Sequence, residues 1–341
     1  MSGGVDSSVA AALMLERGYN CTGITLKLRK EESGCTFSQE ISDAKTIALG
    51  LGIPHNVIDL TEEFDEQVIR RFIEIYEEGA TPNPCVICNR RIKFNLPLLR
   101  ARHGEFDCIA TGHYARIGQE PGGRFLLRKA LDAKKDQSYV LYGLSQEQLE
   151  RVRFPLGELS KQQVRKIAEE KQFANSSKGE SQDICFVPDG DYGDFIVAYI
   201  GKTPPTGDIV DLEGKPLGRH RGIIRYTVGQ RRGLGVAANA PLYVIAKSVA
   251  ANTVTLGPDS SLFGKSLVAR NINLIACARL DKPLRVTVKT RYLQAEQPAV
   301  AEQTGEEDLH IEFDKPQRAI TPGQAAVMYD GDIVVGGGTI V

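Results

Sequence analysis

The chain carries almost no net charge: 42 Lys and Arg against 43 Asp and Glu leave a formal −1 over 341 residues. A polyanionic partner must therefore be held by a local basic patch, not by the field of the whole molecule. No apolar run approaches the roughly 20 residues that span a bilayer, and the opening residues do not read as a signal peptide, so no membrane association is expected. Internal repeats and low-complexity tracts are lacking as well. Cysteines number seven, an odd count with two close together, which argues against a secreted disulfide framework. A cytoplasmic protein with reactive or metal-binding thiols fits better. The remaining composition, 42% hydrophobic and 25% charged, is that of an ordinary globular protein, and the length calls for two or three domains.

What the sequence does have begins at once. Ser2-Gly3-Gly4-Val5-Asp6-Ser7-Ser8 runs into an Ala/Leu-rich stretch from Val9 to Glu16, the pattern of a phosphate-binding loop feeding a helix. Exposed backbone N–H groups and the positive end of the helix dipole favour an anion there. Gly3 and Gly4 let the backbone approach phosphate closely, and Ser7 or Ser8 can cap the helix. Asp6 would repel bare phosphate, so a Mg²⁺ ion is expected between them. No Lys follows the glycines, which separates this loop from the GxxxxGK[ST] loop of ordinary ATPases. A glycine-rich helix cap is the plainer alternative. Such a loop normally follows a hydrophobic parallel strand, and here only Met1 precedes it. The expectation is that Met1 is an internal methionine of a longer natural chain, since losing a central strand would strip its neighbours of partners.

The first half then alternates strand and helix patterns. Cys21–Leu28 reads as a strand, a helix runs from about Ser38 to Leu51, and His55–Leu60 is a short strand. Thr61-Glu62-Glu63 opens a helix with acidic residues in its first turn, ending near Gly79. Thr81-Pro82-Asn83-Pro84 forces an extended loop, and a helix from about Cys88 to Arg102 leads to a strand at Asp107–Thr111. That alternation implies a doubly wound parallel sheet. Helical segments continue at Gln146–Arg153 and Lys161–Lys171. After about residue 190 turns crowd together, and short strands such as Tyr243–Lys247, Thr253–Leu256, Leu284–Lys289, His310–Phe313 and Asp332–Val335 read as a small barrel or sandwich.

Cys85 and Cys88 stand in a CxxC spacing beside two prolines, at the mouth of a helix. With Arg90, Arg91 and Lys93 following, Cys88 should have its pKa lowered and its thiolate favoured. Cys185, in Ser181-Gln182-Asp183-Ile184-Cys185-Phe186-Val187, is a third candidate on a separate loop. Cys21 and Cys108 sit in strand-like apolar runs and read as inert, while Cys35 and Cys277 receive no role. CxxC alone is compatible with a redox pair, half of a zinc site or part of an iron–sulfur site. No second CxxC or HxxxH exists to complete zinc, and the motif does not follow the first strand of a βαβ unit as a thioredoxin-type pair would.

The opening loop resembles the SGGxDS signature of the ATP-pyrophosphatase (PP-loop) superfamily, whose members adenylate a carbonyl oxygen and release pyrophosphate. Together with Asn83-Pro84-Cys85-Val86-Ile87-Cys88-Asn89 and Ile184-Cys185-Phe186, the whole chain resembles the tRNA-specific 2-thiouridylases of the MnmA/TrmU type. The match takes in Thr111-Gly112-His113-Tyr114-Ala115-Arg116, Lys135-Asp136-Gln137-Ser138-Tyr139, Thr227-Val228-Gly229-Gln230-Arg231-Arg232-Gly233-Leu234-Gly235, Lys289-Thr290-Arg291-Tyr292 and Thr321-Pro322-Gly323-Gln324.

The resemblance implies an α/β, doubly wound parallel-sheet PP-loop (adenine nucleotide alpha-hydrolase-like) domain over residues 1–190, lacking its first strand. A small central tRNA-contacting domain at 191–260 and a C-terminal β-barrel at 261–341 would follow. It implies ATP at Met1, Ser2, Gly3, Gly4, Val5, Asp6 and Ser7, closed by Leu26 and Gly112, with Mg²⁺ on Asp6. It further implies adenylation of O2 of the wobble uridine, Cys185 as persulfide carrier and Cys88 as nucleophile, with a redox disulfide between them. Contacts to tRNA would come from Asn83, Pro84, Cys85, His113, Lys135, Asp136, Gln137, Arg231, Arg232, Arg291, Tyr292 and Gln324. A cysteine desulfurase or relay protein would donate sulfur to a cytoplasmic monomer.

Two positions depart from the family. Cys85 stands where an acid/base Asp is common, and Glu180 replaces another Asp. The first departure opens a second route, a [4Fe–4S] cluster on Cys85, Cys88 and Cys185 with one iron free to bind sulfide.

From Lys215 to Arg232 there are six Lys and Arg and no Asp or Glu, a stretch suited to gripping phosphates or simply a solvated basic face. Tyr114 or Tyr292 could stack on a uridine splayed out of the anticodon loop. Two other functions stay open: an amide-forming PP-loop ligase, which would not need the cysteines, and a non-catalytic RNA-binding protein.

Overall fold

The computed structural model describes residues 1–30, 37–95, 106–176, 179, 184–187 and 190–341. Cys35, Glu180, Ser181 to Asp183 and the far end of the helix expected to reach Arg102 lie outside the described residues.

The loop at residues 2–4 leads into helix α1 (Val5–Glu16), which buries Val5, Val9, Ala10, Ala12 and Met14. Strand β1 (Gly23–Lys27), helix α2 (Phe37–Gly50) and strand β2 (His55–Asp59) follow, and the two strands pair in parallel from Gly23–His55 to Lys27–Asp59. The helix expected to begin at Thr61 is interrupted: α3 (Thr61–Phe64) passes through a π-helical turn, Asp65–Arg70, into α4 (Arg71–Glu77). Helix α5 (Pro84–Ile87) likewise runs into a π-helical turn at Cys88–Lys93. Strand β3 (Ile109–Ala110) comes next, then a hairpin of β4 (Ala115–Gln119) and β5 (Phe125–Lys129). Helices α6 (Ser138–Leu141) and α7 (Gln146–Arg151) lead to β6 (Val152–Arg153), which pairs in parallel with β3. In this first region the parallel strands thus fall into two pairs, β1–β2 and β3–β6, among the described residues.

Helix α8 (Lys161–Glu170) starts at a capping box in which Ser160 and Gln163 satisfy each other's backbone N–H. Its Val164 and Ala168 pack into one core with Val5, Val9 and Ala12 of α1, with Tyr114 in the same cluster. Helix α9 (Tyr192–Ile200) opens on Asp191 and ends at Gly201 in the left-handed region, φ 67°.

The central region is a four-stranded sheet in the order β8-β7-β10-β9, made of β7 (Gly207–Val210), β8 (Pro216–His220), β9 (Tyr243–Ser248) and β10 (Thr253–Gly257). Its Ile209, Val244 and Val254 share a core with Phe64, Phe72 and Tyr76 of the first domain. Each such fully buried aromatic contributes about 1.5–3 kcal/mol, so the two regions are fastened by packing.

The last region comprises β11 (Phe263–Leu274), β12 (Leu284–Lys289), β13 (Gln297–Gln303), β14 (Asp308–Arg318), β15 (Ala325–Asp330) and β16 (Ile333–Ile340). They run β11-β14-β13-β12-β15-β16, and β16 returns to β11, which closes a six-stranded barrel. Closure removes the exposed sheet edges. The β4–β5 hairpin, which sequence reading passed over, adds to β16 through Ile333 and Arg128. Asp332 fixes it there, accepting from Arg116 at 2.8 Å and Arg128 at 3.0 Å.

Candidate active site

Helix α1 has its N-terminus at Gly4, and Gly3 adopts φ +66°, a conformation that side-chain-bearing residues resist. Ser7 Oγ donates to the Gly4 carbonyl at 3.0 Å and accepts from the Ser2 backbone N–H at 3.1 Å. Ser8 Oγ donates to the same carbonyl at 2.9 Å, so the serines brace the loop from within its first turn. From below, the buried Asn175 amide donates to Gly3 O at 3.0 Å and to Ser8 Oγ at 3.1 Å, while its Oδ1 has no hydrogen-bond partner among the described residues. Gly112 lies hard against the loop: a Cβ there would stand 2.7 Å from the Asp6 carbonyl carbon and 2.8 Å from Ser7 N. Met1 lies at the side of the loop next to β1, its carbonyl accepting from Thr25 Oγ1 at 2.7 Å. Leu26, on β1, is half-buried against the core shared with the central sheet.

Asp6 is already engaged. Lys161 Nζ lies 2.7 and 2.8 Å from its two oxygens, and Tyr114 OH donates to it at 2.8 Å. Neither was read from sequence as a partner of Asp6, since each is more than a hundred residues away; Tyr114 was named only as a ring to stack on a base. Tyr114, only 2% exposed, is therefore a loop brace and has no free face for a base.

The CxxC segment forms the turn α5 and the π-helical turn after it. Its helix begins at Asn83, so Cys85 rather than Cys88 occupies the first turn. All three candidate thiols are free. Cys88 is buried; Cys85 and Cys185 lie exposed at the mouth, with protein crowded closely enough around them that desolvation raises both thiols. Burial pushes Cys88 up to about 11, against the expectation from its basic neighbours: Lys93 opposes the shift, but desolvation is the larger effect. Cys88 shares one buried core with Phe186 and Val187, against which Ile184 also packs, and Lys93 acts on all three thiols, so the two cysteine segments lie on one core. Tyr292, 36% exposed, senses Cys85 as well and stands 6.0 Å from the Tyr139 ring. Among the described residues no three His, Cys, Asp or Glu side chains are arranged to hold a metal ion.

Residues 1–189 match the tRNA methyl transferase HUP domain, 193–258 the tRNA methyl transferase PRC-barrel domain and 264–340 the aminomethyltransferase beta-barrel domain. Over 347 residues the chain is 47% identical to the tRNA-specific 2-thiouridylase MnmA of Clostridioides difficile, covering all of this chain and 96% of that protein. The chain belongs to the tRNA-specific 2-thiouridylase family. Proteins of the same printed name from Treponema denticola, 47% identical, and Acetivibrio thermocellus, 46% identical, are matched along 96% and 97% of their length.

Against the 2-thiouridylase pattern, several residues expected at tRNA turn inward. Gln324 donates to the Thr81 and Pro82 carbonyls at 3.0 and 3.1 Å, and Thr81 N–H donates to Pro322 O at 2.8 Å, so Thr321–Gln324 clasp the strand entering Asn83 and the buried Pro84. Arg291 donates to the carbonyls of Val228 and Ala319, both at 3.0 Å, and to Thr321 Oγ1 at 2.8 Å. Asp136 receives N–H bonds from Ala130 at 2.9 Å and Ser138 at 3.3 Å, and Gln137 Oε1 receives one from Tyr114 at 2.9 Å. Lys135 is half-buried. The His113 ring is enclosed by Phe94 and Phe154, and desolvation pushes its pKa down to about 3, leaving a neutral imidazole beside Thr111 Oγ1. Of the basic stretch, Arg225 pairs with Asp194 and Arg219 with Asp208, acids from outside that stretch, whereas Arg231 and Arg232 are exposed. Arg231 lines a cavity of about 420 Å³ with Leu234, Val236 and Leu242. Among the described residues no helix is long and apolar enough to cross a membrane.

Proposed function

We propose that the protein is an ATP-dependent tRNA 2-thiouridylase, a sulfurtransferase, acting in the cytoplasm as a monomer. The observation that carries this reading is that Cys88 and the segment bearing Cys185 lie on one core of the domain that also holds the phosphate loop. The Ser2–Ser8 loop binds the phosphates of ATP at the N-terminus of α1, and the close packing of Gly112 fixes the loop in that shape. Met1, Leu26 and Gly112 border the nucleotide, and the Asp6 carboxylate faces the Mg²⁺ that accompanies it. Such a division of labour places catalysis in residues 1–190, tRNA contact in 191–260 and the barrel in 261–341.

The wobble uridine O2 attacks the α-phosphorus, a P–O bond forms, and pyrophosphate leaves with the old one. AMP is then a good leaving group at C2. Cys185, loaded as a persulfide by an external desulfurase or relay protein, attacks C2 through its terminal sulfur and expels AMP. Cys88, giving up its proton, attacks the Cys185 sulfur. The Cys88–Cys185 disulfide forms, the S–S bond to the transferred atom breaks, and 2-thiouridine is left. An external dithiol reduces the disulfide before the next persulfide is loaded. Burial holds Cys88 as a thiol at neutral pH, so Lys93 and the approach of substrate must favour its ionisation.

Arg231 and Arg232 offer exposed charge to the tRNA backbone and Tyr292 a ring for the displaced base. Asn83, Pro84, His113, Lys135, Asp136, Gln137, Arg291 and Gln324 shape this surface from behind. A [4Fe–4S] cluster on Cys85, Cys88 and Cys185 finds no converged ligand set among the described residues, so no step is assigned to it.

The test is in-vitro thiolation of tRNA with desulfurase, cysteine and Mg·ATP, paired with an anaerobic iron assay. Cys88→Ser and Cys185→Ser should abolish product while Cys85→Ser retains it, without iron. Roughly four irons per chain that vanish in Cys85→Ser would replace the persulfide route by the cluster route. A parent chain that makes no thiouridine but releases pyrophosphate from ATP, and still does so in Cys88→Ser and Cys185→Ser, would favour an amide-forming ligase or another adenylating enzyme.

A further inference from the structure

The phosphate loop contains no lysine, yet a lysine is aimed at it. Lys161 is the first residue of α8, and its backbone N–H donates to Asp132 Oδ2 at 2.9 Å, which with the Ser160 capping box fixes where the side chain starts. From there the stem crosses 155 residues of sequence to Asp6, with Nζ at 2.7 and 2.8 Å from the carboxylate oxygens. The lysine side chain is 12% exposed and the aspartate 34%, so the pair is covered on the lysine side and open on the carboxylate side. Tyr114 OH holds the same carboxylate, which keeps a donor on Asp6 when the ammonium moves.

We propose that Lys161 is the phosphate-binding lysine of this site, delivered to the loop from α8 and stored on Asp6 when no nucleotide is present. The inference rests on the reading of the loop as an ATP site. A tetraanionic triphosphate entering the Ser2–Ser7 cradle meets Asp6, and Lys161 cancels that repulsion. Once Mg²⁺ satisfies the carboxylate, the ammonium is released to a phosphate oxygen a short rotation away. Lysine suits this exchange because its charge is a compact point on a flexible stem, with three donors and no fixed fork. Asp6 then has two successive partners, Lys161 in the empty site and Mg²⁺ in the filled one.

Equilibrium binding of Mg·ATP, Mg-free ATP and adenosine to the full chain separates this from a purely bracing role. Lys161→Gln should weaken ATP by about tenfold or more and leave adenosine within about twofold, with Lys161→Arg recovering most of the loss. Asp6→Asn, which frees the lysine, should bind Mg-free ATP at least as tightly as the parent chain. Equal losses for ATP and adenosine in Lys161→Gln, or no loss for either, overturn the proposal, as does a parallel loss of Mg-free ATP in Asp6→Asn. If Lys161→Gln fails to fold, Lys161→Arg and Asp6→Asn decide alone. An unmutated chain that binds no ATP would instead strike at the assigned function.

Discussion

The nucleotide end and the sulfur end of this active site are built in opposite ways. At the phosphate loop Asp6, Ser2, Ser7 and Ser8 all have partners, and a neighbouring glycine is pressed against the backbone. At the cysteines, among the described residues, no disulfide is formed: three thiols on two separate segments all have their ionisation discouraged by burial. The loop is preorganised and needs only its ligand. The thiols are held protonated in reserve by burial, and Gln324 clasps Thr81 and Pro82 in the segment that leads into Cys85 and Cys88. On the proposed mechanism binding can be fixed in advance because phosphate does not change during recognition, whereas sulfur would have to be loaded, transferred and resolved by groups that change bonding partners.

Disturbing each end separately should reveal that difference. The largest expected effect is at the loop: Gly112→Val drives a side chain into the Asp6–Ser7 peptide, and overpacking of this kind costs about 1–3 kcal/mol. We expect ATP affinity to fall by about 10- to 100-fold, measured by calorimetry, with cysteine alkylation rates unchanged. Gln324→Leu should do the reverse. It removes a donor from two carbonyls in the extended loop that leads into the cysteine-bearing helix, at about 1 kcal/mol each. Thiolation should drop several-fold and alkylation of Cys88 should accelerate, while ATP affinity stays put.

The smallest expected effect is a pH dependence at the seam between the ends. His113 titrates near the ordinary 6.5 when unfolded and near 3 when folded, so the unfolded chain takes up its extra proton first. The stability contributed by its neutral ring is complete above about pH 6.5 and is lost as the pH falls toward about 3. His113→Gln should flatten the slope of unfolding free energy against pH in that window, read from denaturant melts.

The same contrast governs what could be read from residues alone. The loop is local, seven consecutive residues, and so are the capping boxes, the five-residue strands of the first domain and the cysteine motifs. Lys161, Tyr114 and Asn175 brace the loop but lie far along the chain; the motif around Tyr114 marks the residue, but nothing local there says that it reaches Asp6. The β4–β5 hairpin had a local signal in Pro121-Gly122-Gly123, yet its partner β16 lies some two hundred residues downstream. The basic stretch ending at Arg232 looked uncompensated only because Asp191, Asp194 and Asp208 stand outside it. The Cys88 thiol was misjudged for a related reason: neighbouring charges are visible in sequence, and burial is not.

The most direct test of the central claim is a single-turnover reaction. Chain loaded with one persulfide is mixed with tRNA and Mg·ATP without reductant, and its peptides are then mapped by mass spectrometry. The expected result is a Cys88–Cys185 disulfide formed one-for-one with 2-thiouridine. Thiouridine formed at full yield with both cysteines still alkylatable would contradict it.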